Sequence, residues 1–170
     1  MKINNPDKKK RSVDFSLKAT WLAISKLYNM LGSAYGLTHS NGFVLLNIDR
    51  EHGTPATKIA PSLGMEARSL TRMLKTMEEN GWVEKGSDPN DKRKAIIQLT
   101  NMGKEKRELS RITVKYFHHK IAEQVPQEDM EVFYDVIERI NYVVDDLMHN
   151  PPTPEDYDRE VMLPVDTHEK

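Results

Sequence analysis

Residues 88–100, DPNDKRKAIIQLT, combine turn-forming residues, a run of charged side chains and a short apolar stretch. Pro89 restricts φ, and the Asp and Asn residues beside it tolerate tight turns. The apolar stretch that follows is rich in β-branched residues, which is typical of a strand. Taken alone, this pattern indicates only a solvated hairpin tip, but its ammonium and guanidinium groups are also donors for phosphate oxygens. The charged residues at the predicted tip are Asp91, Lys92, Arg93 and Lys94.

A second basic set lies on one face of a predicted helix upstream of the hairpin. Apolar residues recur at i, i+3, i+4 and i+7 from Leu70 to Met77, so they form one face that packs on a core. The opposite face carries donors suited to phosphates and to base edges in a major groove. A short helix, a turn, this basic-faced helix and the basic-tipped hairpin follow one another, an order typical of a winged helix-turn-helix. The candidate DNA-contacting residues of this helix are Arg68, Ser69, Thr71, Arg72 and Lys75.

Aromatic and methionine side chains nearer the N-terminus form a weaker candidate site. They recur at helical spacing in residues 21–35, and a histidine opens the next predicted helix. Such residues more often belong to a core or a dimer interface than to a ligand pocket. A pocket for a small-molecule effector stays open as an alternative. Its candidate lining residues are Trp21, Tyr28, Met30, Tyr35 and His39.

Other clusters of reactive side chains do not have the spacing that catalysis or metal binding requires. His118 and His119 are adjacent on a predicted helix, so their side chains diverge by about 100° and do not converge on one metal ion. The acidic residues 155–158 lack the regular ligand spacing of a calcium loop. No nucleophile–base pattern, glycine-rich phosphate loop or HExxH motif occurs in the sequence. We therefore predict no enzymatic activity, no metal site and no cofactor.

The elements that would position these residues are mostly helices. Gly36 is expected to end the first helix, and Thr38 to cap a second helix that runs to about His52. Thr54 is expected to cap the third helix, with Pro55 in its first turn. The predicted helices span residues 14–35, 38–53, 54–63, 65–80, 101–125 and 126–150, and the hairpin pairs residues 82–85 with residues 95–99.

The predicted fold class is mainly α with a small β-hairpin, a winged helix-turn-helix domain with long dimerisation helices. Inside the third helix Pro61 removes a backbone hydrogen bond, so we expect it to bend or shorten that helix. Composition divides the chain into four predicted segments. These are an N-terminal arm with the first dimerisation helix (1–36), the winged helix-turn-helix (37–100), the C-terminal dimerisation helices (101–150) and an acidic, proline-rich tail (151–170), expected to be loosely held.

Charge is unevenly distributed although the net charge is −1. Residues 58–107 carry 11 basic and 7 acidic side chains, whereas residues 123–170 carry 3 basic and 14 acidic ones. The middle of the chain is therefore able to face a polyanion. No run approaches the roughly 18 apolar residues of a membrane span, and the first residues lack the apolar region of a signal peptide. With no cysteine in the sequence, we predict a cytoplasmic protein without membrane association, disulfides or thiol chemistry.

Three stretches in this order resemble the MarR family of bacterial transcription regulators, and the resemblance covers roughly residues 14–150. They are IAPSLGMEARSLTRMLKTMEENGWVEK, DPNDKRKAIIQLT and LTNMGKE. The wing signature of that family pairs an Asp with an Arg two positions on, here Asp91 and Arg93. The resemblance implies that Arg93 enters the minor groove of double-stranded DNA and that Asp91 orients the basic side chains of the wing. It also implies an obligate homodimer formed by the first helix and the last two, and often a small-molecule pocket between the dimerisation and DNA-binding parts.

The predicted function is that of a homodimeric transcription regulator, a ligand-responsive repressor that binds a pseudo-palindromic operator. The alternative from another class is a winged-helix module whose basic face binds an acidic protein partner. A third interpretation is a small-molecule or metal sensor in which DNA binding is secondary. The residues expected to meet around the two-fold axis of the dimer are Leu17, Trp21 and Ile24 with Val136, Ile140 and Val144.

Overall fold

The chain alternates helices with three short strands. The structure, a computed structural model, describes residues 12–87 and 95–161, with side chains as far as residue 157. The predicted fold class, mainly α with a small β element, is confirmed. The elements are α1 (Val13–Gly32), a 3-10 turn (Ser33–Tyr35), α2 (His39–Leu46), β1 (Thr54–Pro55), α3 (Ala56–Ser62), α4 (Ala67–Glu79), β2 (Val83–Ser87), β3 (Ala95–Leu99), α5 (Asn101–Ala122), α6 (Gln127–His149) and α7 (Pro154–Val161).

Contacts divide the chain into two units, Met1–His118 and His119–Lys170. The first unit contains α1 to α4, the sheet and most of α5. The second contains the end of α5 together with α6 and α7. No helix in the part of the chain that the structure describes is long and apolar enough to cross a membrane.

The predicted end of α2 near His52 is wrong, because the helix ends at Leu46. Thr38 caps its start as predicted, and its side chain accepts the backbone N–H of Asn41 in a capping box. Beyond the helix, the Asp49 carboxylate accepts the backbone N–H groups of Glu51 and His52, at 3.0 and 2.7 Å. These two hydrogen bonds stabilise a turn where the sequence pattern predicted more helix.

The assignment of Thr54 and Pro55 to the start of the third helix is also wrong. Both residues form β1, which pairs antiparallel with β3, and the sheet has the order β1-β3-β2. The Thr54 hydroxyl accepts the backbone N–H of Asp49 at 2.8 Å instead of capping a helix. Pro55 has an extended ψ of 130° and lies outside the helix. The hairpin of β2 and β3 was predicted, but the third strand was not.

The short helix α3 begins at Ala56 and carries Pro61 in its last turn. It ends at Ser62, one residue after the proline, in agreement with the predicted shortening. Gly64 follows with φ 59°, a left-handed conformation that glycine adopts without strain. The backbone N–H of Met65 then donates to the carbonyl of Ala60, which closes the turn between α3 and α4. This is the helix-turn-helix predicted from the sequence.

The core of the first unit lies between α2, α3, α4 and the sheet. Ile59 of α3 is fully buried, and the apolar face predicted for α4 packs against the same cluster. Leu70 and Leu74 are each 3% exposed and Met77 is 1% exposed. Burying each such side chain contributes about 1.5–3 kcal/mol relative to leaving it exposed. The core therefore determines which face of α4 points to solvent.

The first half of α5 is anchored to this unit. The Thr100 hydroxyl donates to the carbonyl of Gly81 at 2.6 Å, just before α5 begins. At Gly103 a Cβ atom would overlap the carbonyl oxygen of Trp82, so the helix approaches β2 more closely than any other residue type allows. One turn later the Arg107 guanidinium donates to the carbonyl of Ile48 at 3.3 Å.

In the second unit α6 has no buried residue in the single chain, although one of its faces is apolar. Part of the predicted tail forms α7, a helix that the sequence analysis did not predict. The Asp156 carboxylate accepts both the backbone N–H and the hydroxyl of Thr153, at 2.8 and 2.7 Å, and so stabilises the first turn of α7. The predictions for residues 162–170 lie outside the described residues.

Candidate nucleic-acid interface

The exposed face of α4 is the candidate recognition surface. Because one side of the helix is buried in the core, the residues at the intervening positions point to solvent. The structure places all five predicted contact residues of α4 on that exposed side. They are Arg68, Ser69, Thr71, Arg72 and Lys75.

These side chains differ in the hydrogen bonds that they still have available. The Thr71 hydroxyl donates to the carbonyl of Ala67 at 2.9 Å, so only its oxygen lone pairs remain. That makes Thr71 an acceptor, suited to the amino group of adenine or cytosine rather than to a phosphate. Within the described residues no carboxylate forms an ion pair with Arg68 or Arg72. Both guanidinium groups keep their full set of donors for an anionic partner.

Positive charge on this face decreases toward the C-terminal end of α4. The Lys75 ammonium lies 3.9 Å from the Glu79 carboxylate, one turn further along the same face. A carboxylate therefore adjoins the predicted basic set. Both side chains are largely exposed, so the pair itself contributes at most about 1 kcal/mol. On this face of α4 the positive charge without a nearby carboxylate, among the described residues, is therefore concentrated around Arg68 and Arg72.

The two strands that carry the wing are in register from Val83↔Leu99 to Ser87↔Ala95. The charged tip residues follow the last of these pairs and lie outside the described residues, so their predicted roles stay predictions. At the base of the wing the Lys85 ammonium donates to the Glu78 carboxylate at 2.6 Å. This ion pair connects β2 to the end of α4, and sequence analysis did not identify it. The tip residues concerned are Asp91, Lys92, Arg93 and Lys94.

A surface groove of about 350 Å³ runs beside α4. Thr38 and Asn41, at the start of α2, line one side of it, and Ser69 and Arg72 line the other. The start of α2 is therefore an immediate neighbour of the candidate recognition surface.

Three of the five predicted effector residues lie together. The imidazole ring of His39 lies 4.8 Å from the ring of Trp21 and 6.0 Å from the ring of Tyr28, measured between centroids. The ring of Phe43, which was not among the residues predicted for this site, lies 4.8 Å from the ring of His39. It also lies 6.1 and 6.0 Å from the rings of Trp21 and Tyr28. Its position four residues after His39 on α2 was the available signal, because i and i+4 share a helix face. We call these four residues the His39 cluster.

The Nε2 atom of His39 is buried and has no hydrogen-bond partner among the described residues. Leaving a buried polar atom unpaired costs about 1–3 kcal/mol. Burial also lowers the pKa of His39, because the charged imidazolium loses hydration. For the same reason burial raises the pKa of Tyr28. Both side chains are therefore neutral at pH 7.

A cavity of about 30 Å³ adjoins this cluster. Tyr28 and His39 line it, whereas Trp21, Met30 and Tyr35 do not and are 50%, 64% and 51% exposed. The volume is that of roughly one water molecule. An effector larger than a water molecule therefore requires the surrounding rings to move apart.

The remaining titratable side chains form no metal centre in the described chain. No three histidine, aspartate or glutamate side chains lie close enough together to hold an ion. His119 instead lies 3.2 Å from the Glu123 carboxylate, one turn further along the chain.

A short helix, a tight turn, a helix with a basic exposed face and a β-hairpin together define a winged helix-turn-helix protein of the DNA-binding class. The MarR family model matches residues 37–95. An uncharacterised helix-turn-helix transcriptional regulator of Bacillus subtilis, YwoH, is 30% identical over 110 residues, which cover 65% of this chain and 80% of YwoH. The chain therefore belongs to the MarR family of transcriptional regulators, a family of regulators rather than of enzymes.

Solved structures show the same fold. The Staphylococcus aureus MepR–DNA complex has a TM-score of 0.72 at 15% identity, covering 79% of this chain and 99% of MepR. The overoxidised form of AbfR bound to DNA has a TM-score of 0.60 at 27% identity, covering 77% of this chain and 91% of AbfR. Both of these proteins were solved bound to DNA.

Proposed function

We propose that the protein is a sequence-specific DNA-binding repressor that acts as a homodimer on a pseudo-palindromic operator and is released by a ligand. The observation that carries this proposal is the exposed face of α4, where Arg68 and Arg72 have no carboxylate partner among the described residues. The core holds that face outward, and a helix of this size fits a major groove. Ser69, Thr71 and Lys75 complete the proposed major-groove contacts.

The wing is proposed to contact the flanking minor groove. Lys92 and Lys94 hold phosphates, and Arg93 enters a narrow A·T-rich groove, where the negative potential is enhanced. Asp91 positions an arginine of the wing or of α4 rather than contacting DNA. The paired strands β2 and β3, which flank the tip residues in the sequence, support this arrangement.

Homodimerisation is supported by apolar surface that the single chain leaves exposed. Along α6 every residue is at least partly exposed, including Val136, Ile140 and Val144 on its apolar face. In the first unit Leu17 and Trp21 of α1 are also exposed. A second copy that covers these side chains removes apolar area from water, and a two-fold dimer presents two α4 helices to two half-sites.

Repression and its release are the finer parts of the proposal. A dimer that occupies two adjacent major grooves excludes other proteins from the same stretch of promoter. Ligand release is proposed to act at Trp21, Tyr28 and His39, where an effector would widen the small cavity and disturb the start of α2. Met30 and Tyr35 are left out of this proposal because they neither line the cavity nor belong to the His39 cluster.

Selection of bound duplexes from a random library tests the proposal against its rival. We expect enrichment of a two-fold symmetric motif whose half-sites are about one helical turn apart, roughly 10 base pairs. A module that binds an acidic protein instead of DNA would enrich no motif, and its weak duplex affinity would not depend on sequence. Sedimentation at micromolar concentration provides the second check, because a monomer would contradict the proposed dimer.

A further inference from the structure

The environment of His39 stabilises its neutral imidazole relative to the charged imidazolium. The aromatic rings of α1 and α2 surround its imidazole, and its Nε2 atom has no partner among the described residues. His39 is also the first residue of α2, where the positive end of the helix dipole disfavours a further positive charge. Its backbone N–H is held by the Asn29 amide oxygen at 2.7 Å, which keeps the residue in this position.

Few of the side chains that line the cavity beside His39 are titratable. From α1 the only one lining the cavity is the Tyr28 phenol, which stays neutral because burial raises its pKa. From α5 the cavity is lined by Ser110 and Thr113, whose hydroxyls donate to backbone carbonyls of their own helix. Within the described residues no carboxylate lines the cavity. An imidazolium at His39 would therefore have no anion beside it in that part of the chain.

Two more side chains of α5, Lys106 and His118, are charged or titratable but do not line the cavity. The Lys106 ammonium donates to the carbonyl of Tyr35 at 2.5 Å. The ring of His118 contacts Phe117, which in turn contacts Tyr28. The side chain of His118 is exposed.

We propose that protonation of His39 in mildly acidic solution loosens α2 from α1 and weakens operator binding, so that the His39 cluster makes this regulator acid-sensitive. This inference rests on the DNA-binding function proposed above. It assigns to His39 a second role, separate from any effector that enters the cavity.

Residues next to His39 on α2 border the proposed DNA-binding surface. Thr38 and Asn41, within one turn of His39 on α2, line the groove whose opposite side carries Ser69 and Arg72. Five and six residues further along α2, Val44 and Leu45 are fully buried in the core that also holds α4. A shift of α2 therefore changes both the support of α4 and the groove beside it.

The sign of the effect follows from the direction of the pKa shift. Burial lowers the pKa of His39 below its value of about 6.5 in the unfolded chain, so the unfolded chain binds the proton more readily. The stability contributed by neutral His39 is fully present above about pH 6.5 and is lost as the pH falls toward the lowered pKa. Over that interval one proton raises the unfolding equilibrium constant by up to about tenfold per pH unit.

Operator affinity at pH 7.5 and pH 5.5 tests the proposal, measured by fluorescence anisotropy with a duplex selected at pH 7.5. We expect wild type to lose affinity on acidification by up to about tenfold per pH unit, and His39→Phe to lose none. His118→Gln is the matched control and is expected to behave like wild type. Bulk electrostatics predicts the opposite sign, since protonated histidines attract DNA. Equal acid responses in wild type and His39→Phe would overturn the proposal.

A histidine NMR titration of the wild-type protein provides a readout that does not depend on the variants folding. We expect the His39 imidazole to titrate below its unfolded value of about 6.5, together with changes in the signals of α2. Titration at or above that value would refute the inference even if His39→Phe proved unfolded. Failure of wild type to select any operator at pH 7.5 would instead contradict the proposed function.

Discussion

Replacing Arg72 by alanine tests whether α4 recognises bases or only attracts phosphate. Arg72 is exposed on the proposed major-groove side and has no carboxylate partner among the described residues. Alanine is the best helix former, so Arg72→Ala is expected to leave α4 and its buried face intact. Any change in DNA binding then reports on the guanidinium itself.

The expected loss of operator affinity depends on how many copies of Arg72 contact the operator. A bidentate contact from arginine to guanine provides about 1–3 kcal/mol of discrimination. A homodimer carries Arg72 twice, so the loss on a two-half-site operator is about 2–6 kcal/mol, which corresponds to a roughly 30-fold or greater rise in Kd. Lys75→Ala is the matched control from the same face, and we expect a smaller loss because Glu79 already offsets part of its charge.

The assay is a salt series of Kd values on the selected operator and on a scrambled duplex of equal length. For Arg72→Ala we expect a loss on the operator, little change on the scrambled duplex, and altered preference among operators that differ at one base pair. If Arg72 contacts only phosphate, both duplexes lose affinity alike and the slope of log K against log salt falls by about 0.9 per contact. That outcome would refute the assignment of Arg72 to base recognition.

Four further substitutions test the core, the anchoring of α5 and the wing. Leu74→Ala opens a cavity beneath α4 and is expected to lower the free energy of unfolding by about 2–5 kcal/mol in urea titrations; a loss below 1 kcal/mol would contradict the packing described. Gly103→Ala places a Cβ on the Trp82 carbonyl oxygen and is expected to lower Tm, because α5 must move away from β2; an unchanged Tm would show that α5 does not approach β2 so closely. Arg93→Ala is expected to cost about 1–3 kcal/mol of operator binding with the fold intact. Asp91→Ala is also expected to weaken binding, and tighter binding would mean that the wing is only a cationic loop.

The parts of the fold that follow from local pattern were predicted from the sequence. In α4 the apolar and basic residues alternate with the helical period, so the side that packs and the side that faces solvent were both predicted before any tertiary contact was known. The positions of β2 and β3 followed in the same way from their composition and the turn between them. The capping of α2 by Thr38 likewise depends only on residues within one turn.

Other features depend on contacts distant in sequence. Thr54 and Pro55 have the residue types of a helix start, but pairing with β3 draws them into the sheet. The Nε2 atom of His39 is buried without a hydrogen-bond partner among the described residues because aromatic rings from two helices surround it. No residue spacing within one helix predicts this arrangement. The Lys85–Glu78 ion pair depends in the same way on how β2 approaches the end of α4.

Guanine methylation interference on the selected operator tests the central claim most directly, because methylation at N7 blocks the major groove without disturbing the backbone. The account predicts two symmetry-related patches of interference about one helical turn apart, each weakened in Arg72→Ala. A single patch, or interference that is uniform along the duplex, would contradict the claim that a dimer inserts two copies of α4 into successive major grooves.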